Sequence, residues 1–200
     1  MPDLSLGTAG AKIIKDSEGF CLKFYADPNG YPTVGWGHLI TKKKKYTANT
    51  TGDPNDSILT KKEADDLSKF LKLDYTSPIS QTKADDLFSS DTSDAVDDVN
   101  ALKLPSGAKF SQSQFDALVS MRFNCGIVVL KSNDVVTMLK EPKIYPTYAD
   151  KLSKTESDKC SKLVSKAFSY DESLKERRNK EATLFCSGQQ YTHKYPVYSL

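Results

Sequence analysis

The stretch EGFCLKFYADPNGYPTVGWGH, residues 18–38, decides the fold that this chain is expected to adopt. Its first carboxylate, Glu18, directly follows a short amphipathic helix predicted over Thr8–Ser17, and Gly19 is the residue expected to end that helix. Aromatic and β-branched residues then favour strands on both sides of Asp27–Gly30, whose proline and glycine are typical of a tight turn. The stretch therefore predicts a helix followed by a β-hairpin.

Beyond this stretch, one region without helical periodicity precedes a mainly helical remainder. Residues 39–56 are rich in lysine, threonine and glycine, which predicts an irregular wing that continues the small sheet. The clearest helix start is Ser111, where Gln114 completes a capping box, and that helix should end at Gly126. Spaced apolar residues predict further helices over Leu59–Leu73, Ile79–Val99, Val135–Leu139, Ser157–Phe168 and Leu174–Phe185, before an extended tail with Tyr191, Tyr195 and Tyr198.

These elements predict an α+β fold that is mainly helical. We expect residues 18–56 to form a small β-containing lobe, and residues 1–17 and 57–200 to form a larger helical lobe with a linking helix. The chain of 200 residues is long enough to bury a core as one domain.

Charge and hydropathy exclude some classes of partner. The formal net charge of +2 is too small to indicate nucleic acid as the natural partner. No apolar run reaches the roughly 18 residues that would span a bilayer, and the N-terminus has no signal-peptide pattern. We therefore expect a soluble monomer without stable membrane insertion, which could be a mature form that has lost a leader.

The chain has four cysteines, Cys21, Cys125, Cys160 and Cys186. They form no CxxC pair and the chain has only two histidines, so we expect neither a metal site nor a cofactor. Two disulfides would suit a secreted protein and four buried thiols a cytosolic one, and the sequence leaves both open. The N-glycosylation triplets Asn49-Thr50-Thr51 and Asn55-Asp56-Ser57 lean toward secretion.

Three side chains are candidates for glycosidic bond hydrolysis. That reaction needs one carboxyl that is protonated to donate to the leaving oxygen, and a second, ionised one across the sugar ring. Glu18 at the end of an apolar helix and Asp27 in a polar turn qualify by position, although any chain with this many acids offers such a pair. Thr33 follows in the returning strand, where its hydroxyl could hold a water or simply reflect β propensity.

Two other polar side chains need partners. Glycines on both sides of Trp36 favour a tight, bent strand, and the adjacent His38 is expected to pair with a structural acid rather than to act in catalysis. In the last predicted helix at least one arginine of the pair Arg177-Arg178 must lie near the buried face, which requires an anion. Both Glu18 and Glu181 are candidates for that anion.

The motifs of the first 38 residues resemble the active-site signature of phage-type lysozymes, glycoside hydrolase family 24. That family places its Glu, Asp and Thr with eight and then five residues between them, and this chain has both gaps. The resemblance rests on Glu18-Gly19, Tyr25-Ala26-Asp27, Gly30 and Thr33–His38, and continues through Gln112–Ser120, Phe123–Gly126 and Leu174–Gly188.

The resemblance implies a lysozyme-like catalytic domain over residues 1–200, with a peptidoglycan strand in a cleft between the small and the larger lobe. The activity would be that of a muramidase, which hydrolyses β-1,4 bonds between N-acetylmuramic acid and N-acetylglucosamine. Glu18 would be the general acid, and Asp27 and Thr33 would position the water. Arg177 and His38 would be supporting residues, with Arg177 holding the catalytic glutamate. Leu39 and Phe123 would line the saccharide cleft.

The chain also departs from the family pattern. Residues 41–78 are longer and richer in lysine and aspartate than in a compact phage endolysin, so substrate contacts there are not carried over. Among the cysteines, a disulfide between Cys160 and Cys186 is the preferred pairing. A lytic transglycosylase, which needs the glutamate but no second acid, and a catalytically silent peptidoglycan-binding module are the alternatives. We expect a secreted protein, or alternatively an endolysin in the cytoplasm of a phage host.

Overall fold

A computed structural model describes residues 3–48, 53–148, 152–169 and 172–193. Over these residues the chain forms seven α-helices and a three-stranded sheet, joined by loops and short 3₁₀ turns, so the predicted α+β, mainly helical fold is confirmed. In chain order the elements are α1 (Thr8–Glu18), β1 (Cys21–Ala26), β2 (Pro32–Gly35), β3 (His38–Leu39), α2 (Lys61–Leu71), α3 (Gln81–Asn100), α4 (Gln112–Cys125), α5 (Asn133–Leu139), α6 (Lys154–Ala167) and α7 (Lys175–Phe185).

Capping residues set the helix boundaries. The predicted capping box is present at the start of α4, where the Ser111 hydroxyl accepts from the Gln114 backbone N–H and the Gln114 side chain accepts from the Ser111 N–H. The helix α6 begins three residues earlier than predicted, because Ser153 and Glu156 form a second box there. A third box, formed by Thr60 and Glu63, starts α2. Local side-chain chemistry therefore accounts for these helix starts.

The predicted hairpin is confirmed. Strands β1 and β2 pair antiparallel, with Tyr25 opposite Thr33, and β3 pairs with β2. The described residues from 40 to 48 contain no helix or strand, so the wing is irregular as predicted. The prediction that it continues the sheet is wrong, because the last strand ends at Leu39.

A Gly30→Ala variant is expected to lose about 2 kcal/mol of unfolding free energy, because the new side chain meets both strain and a clash. Gly30 has φ +85°, and a Cβ there would lie 2.7 Å from the carbonyl oxygen of Tyr46. That clash is with backbone, and the Tyr46 N–H itself donates to the Gly30 carbonyl at 2.8 Å. Urea unfolding of the parent and the variant measures the loss.

The matched control is Gly188→Ala, because Gly188 has a similar φ of +74° but no heavy atom within 4 Å of a Cβ position. Backbone strain alone should lower the free energy of unfolding of this variant by about 1 kcal/mol. Equal losses in the two variants would contradict the role given to the Tyr46 contact.

Internal contacts divide the chain into two compact units, Lys15–Ser93 and Met1–Ile14 with Asp94–Leu200. The predicted small lobe over 18–56 lies within the first unit, which also contains α2. A compact apolar core fills that unit, made of Phe24, Ala26, Val34, Leu59, Ala64 and Leu67. In the second unit a larger core includes three fully buried side chains of α4, Phe115, Leu118 and Val119. Each unit therefore has a hydrophobic core of its own.

Cys160 and Cys186 are free thiols, so the predicted disulfide between them is wrong. Both side chains are buried in the core of the second unit. Burial raises the pKa of Cys160 to about 11 and that of Cys186 to about 12. They therefore pack as small, protonated, apolar groups rather than as a cross-link.

Some predictions fall outside the described residues, namely the triplet Asn49-Thr50-Thr51 and the tail tyrosines Tyr195 and Tyr198. The second triplet is described, and there the Asn55 amide donates to Asp53 Oδ1 at 3.0 Å. Among the helices that are described, none combines the length and the apolar character needed to cross a bilayer.

Candidate active site

Glu18 is the last residue of α1, at the point where the chain turns into the sheet. The turn follows at Gly19, whose φ of +72° favours glycine. Gly37, between β2 and β3, lies beside the Glu18 side chain, since a Cβ on Gly37 would be 3.5 Å from Glu18 Oε2. The carboxyl group is half-buried and is flanked by backbone of the β2–β3 turn.

Asp27 begins the turn of the hairpin and is held by backbone groups. Its Oδ1 accepts hydrogen bonds from the N–H groups of Asn29 and Tyr31, both at 2.8 Å. This is the Asx-turn geometry that aspartate favours in tight turns. The second oxygen, Oδ2, accepts no hydrogen bond from any residue that the structure describes. The carboxylate is therefore fixed in orientation with one oxygen available to a water.

The backbone of Tyr31 links Asp27 to Thr33. Its carbonyl oxygen accepts from the Asp27 N–H at 2.9 Å and from the Thr33 hydroxyl at 3.0 Å. Because Thr33 Oγ1 donates to this carbonyl, its lone pairs remain acceptors for another donor. Asp27 and Thr33 are thus brought together by the hairpin, as the spacing predicts.

The charges of both candidate carboxylates affect the pKa of the Tyr25 phenol. This side chain is buried, and burial raises its pKa; the nearby charges of Cys21, Glu18 and Asp27 raise it further. Tyr25 also lies opposite Thr33 in the sheet register. The charges of Glu18 and Asp27 therefore both act on Tyr25, a residue that sequence reasoning missed although it stands within the motif Tyr25-Ala26-Asp27. The catalytic roles of the three residues stay predictions at this point.

His38 has the acidic partner that was expected. Its Nδ1 lies 3.0 Å and 2.9 Å from the two carboxylate oxygens of Asp91 in α3. Nearby, a Cβ on Gly35 would lie 3.3 Å from the Cβ of Ala84, also in α3. The strand ends around the β2–β3 turn are therefore packed and bonded to this helix.

The two arginines of α7 bind Glu181. The carboxylate oxygen Oε1 of Glu181 lies 2.9 Å from Arg178 Nη2 and 3.3 Å from Arg177 Nε, and it also accepts from the Ser120 hydroxyl at 2.6 Å. Of the two partners that the sequence left open, Glu181 is thus confirmed. An orienting contact between Arg177 and Glu18 stays a prediction.

The remaining predicted residues are placed as follows. Leu39 in β3 is 36% exposed, which is compatible with contact to a ligand. Phe123 in α4 is partly buried and packs against the core of its unit. Their saccharide contacts stay predictions. The described residues contain no group of three or more His, Cys, Asp or Glu side chains arranged to hold a metal ion.

A family model for phage lysozyme matches residues 15–181 of the chain. Among curated proteins, an endolysin of Bacillus phage B103 is 27% identical over 188 residues, covering 93% of this chain and 56% of its own length. An endolysin of Bacillus phage PZA is 28% identical over 188 residues, covering 92% of this chain and 56% of its own length. The chain therefore spans about half the length of these curated relatives.

Solved structures show the fold. An endolysin from the Escherichia coli O157:H7 phage FAHEc1 matches with a TM-score of 0.56 and 22% identity, over 93% of this chain and 96% of that one. A mutant of P22 lysozyme matches with a TM-score of 0.55 and 22% identity, over 92% of this chain and 99% of that one. The muramidase domain of SpmX from Asticaccaulis excentricus matches with a TM-score of 0.52 and 20% identity, over 90% of this chain and 97% of that one. The expected lysozyme-like fold is confirmed.

Proposed function

The chain belongs to the phage lysozyme family, and we propose that it hydrolyses the glycan of bacterial peptidoglycan. The bond cleaved is the β-1,4 bond between N-acetylmuramic acid and N-acetylglucosamine.

Glu18 donates its proton to the oxygen that leaves the anomeric carbon. A water attacks that carbon, and its proton passes to the carboxylate of Asp27. Thr33 helps to hold this water, since its hydroxyl can accept a hydrogen bond from it. The observation that carries the proposal is the double link of Asp27 and Thr33 to the backbone of Tyr31, which fixes both groups. Within the part of the chain that the structure describes, no residue donates a hydrogen bond to Asp27 Oδ2.

Other residues act in support of this reaction. Arg177 orients Glu18, and His38 steadies the adjoining turn through Asp91. Leu39 and Phe123 contact the saccharide. The protein acts as a monomer on the bacterial wall, either after secretion or after synthesis as an endolysin in the host cytoplasm.

The second candidate is a lytic transglycosylase, in which the sugar's own 6-hydroxyl attacks and no second acid is needed. A binding module without catalysis is a further alternative. The oriented carboxylate of Asp27 favours water as the acceptor, because a transglycosylase has no use for a group that activates water.

Digestion of purified peptidoglycan in water enriched in ¹⁸O tests the proposal. Hydrolysis places one ¹⁸O atom at each new reducing end, which mass spectrometry of the released muropeptides detects. Unlabelled 1,6-anhydro ends would instead identify a transglycosylase. Absence of released fragments from several wall types, with binding retained, would identify a binding module.

A further inference from the structure

A carboxylate outside the proposed catalytic set, Asp85 in α3, accepts three hydrogen bonds. Its Oδ1 lies 2.7 Å from Lys15 Nζ and 3.2 Å from Trp36 Nε1, and its Oδ2 accepts from the Gln81 amide at 3.0 Å. The hydrogen bond from Lys15 makes the largest contribution to lowering the pKa of Asp85, and the hydrogen bond from Gln81 lowers it further. Asp85 is therefore an ionised group that gathers side chains from α1, from α3 and from the β2–β3 turn.

The indole of Trp36 is held by further contacts. Its ring lies 4.1 Å, centroid to centroid, from the ring of Phe20 with an interplanar angle of 30°. The ammonium of Lys15 lies 4.6 Å from the indole centroid and 4.8 Å from that of Phe88, at cation–π distance. Asp85 thus holds both the N–H of the indole and the cation above its ring.

These contacts converge on the segments that flank Glu18. Lys15 precedes Glu18 by three residues on α1, and Phe20 follows it by two. Trp36 is bonded in sequence to Gly37, the residue whose Cβ position lies 3.5 Å from Glu18 Oε2. A displacement of Trp36 would therefore move the backbone that packs against the Glu18 carboxyl.

We propose that Asp85 is a positioning residue for Glu18 and acts through Trp36. The inference rests on the proposed function, in which Glu18 is the general acid. An acid must lie in line with the leaving oxygen, and a displacement of about 1 Å at a reacting group costs up to about 10²-fold in rate. Asp85 keeps Gly37 against Glu18, and so keeps the acid aligned, without touching the substrate.

The test compares Asp85→Asn with the matched control Asp86→Asn. Asp86 is the next residue of the same helix, carries the same charge and is exposed. Trp36 is the sole tryptophan of the chain, so tryptophan emission reports on this site alone. Asparagine retains an oxygen for the indole N–H but loses the ion pair with Lys15, which releases the cation from the indole.

For Asp85→Asn we expect Trp36 emission at longer wavelength, with stronger quenching by acrylamide. On soluble, uncross-linked glycan strands we expect kcat to fall about tenfold with KM within about twofold of the parent value, because alignment rather than binding is lost. Asp86→Asn should match the parent in emission, kcat and KM. Asp85→Glu, which keeps the charge, should recover part of kcat.

Unchanged emission in Asp85→Asn, or changed emission with unchanged kcat, would overturn the proposal. A loss confined to KM, or one that merely follows a fall in thermal midpoint at the assay temperature, would also overturn it. If Asp85→Asn does not fold, Trp36→Phe replaces it, since it keeps an aromatic ring but removes the N–H donor, and it should show the same split between kcat and KM. Equal inactivity of the parent and Asp86→Asn would remove the proposed function itself, and this proposal with it.

Discussion

A Glu18→Gln variant is expected to lose about 10³-fold in kcat for the release of muropeptides. The amide has nearly the shape of the carboxylic acid but has no acidic proton for the leaving oxygen. It also fits the space beside Gly37, so the thermal midpoint should stay close to that of the parent. Initial rates of release from purified peptidoglycan, measured at equal protein concentration, give the loss.

The matched control for this change is Glu176→Gln, the same substitution at an exposed position of α7. It should retain the parent rate. Release by Glu18→Gln at more than about a tenth of the parent rate would contradict the assignment of Glu18 as the general acid, whatever the products are.

A Glu181→Gln variant is expected to lose about 3–5 kcal/mol of unfolding free energy, the usual effect of removing one partner from a buried ion pair. Glu181 and Arg178 are both 0% exposed, and among the described residues Glu181 supplies the carboxylate within ion-pair distance of Arg178. Burial raises the pKa of Glu181, and the charges of Arg178 and Arg177 oppose that rise. With two guanidiniums this close, we expect the carboxylate to be ionised at neutral pH, so glutamine would leave a buried cation uncompensated.

Urea unfolding followed by circular dichroism measures this loss. Glu176→Gln again serves as the control and should be within about 0.5 kcal/mol of the parent. The triple variant Arg177→Met, Arg178→Met and Glu181→Leu removes all three charges and should recover most of the stability. A loss below about 1 kcal/mol in Glu181→Gln would show that the pair is not held as ions.

Local signals made much of the fold predictable. The turn at Asp27–Gly30 and the capping box at Ser111 depend on residues within four positions of one another, and both are present. The short spacing of Asp27 and Thr33 indicated that both lie on one hairpin, where each is hydrogen-bonded to the backbone of Tyr31.

Long-range contacts were not predictable in the same way. Asp85 binds Trp36 across 49 positions, and nothing in the spacing of the two residues indicates that pair. The cysteine prediction failed for a related reason, because sequence gives neither the distance between two thiols nor their directions. The partner of the arginines was predictable, because Glu181 lies one helical turn after both of them on the same helix.

The tie between Asp27 and Thr33 passes through the main chain of Tyr31, and this affects how the hairpin tip can evolve. Nineteen of the twenty amino acids carry both the N–H and the carbonyl group on which the tie depends, and proline is the exception. The side chain at this position, here in contact with Lys45 at 4.6 Å from its ring, is therefore open to variation. A substitution at this position can change what the hairpin tip contacts, while the geometry of Asp27 and Thr33 stays the same.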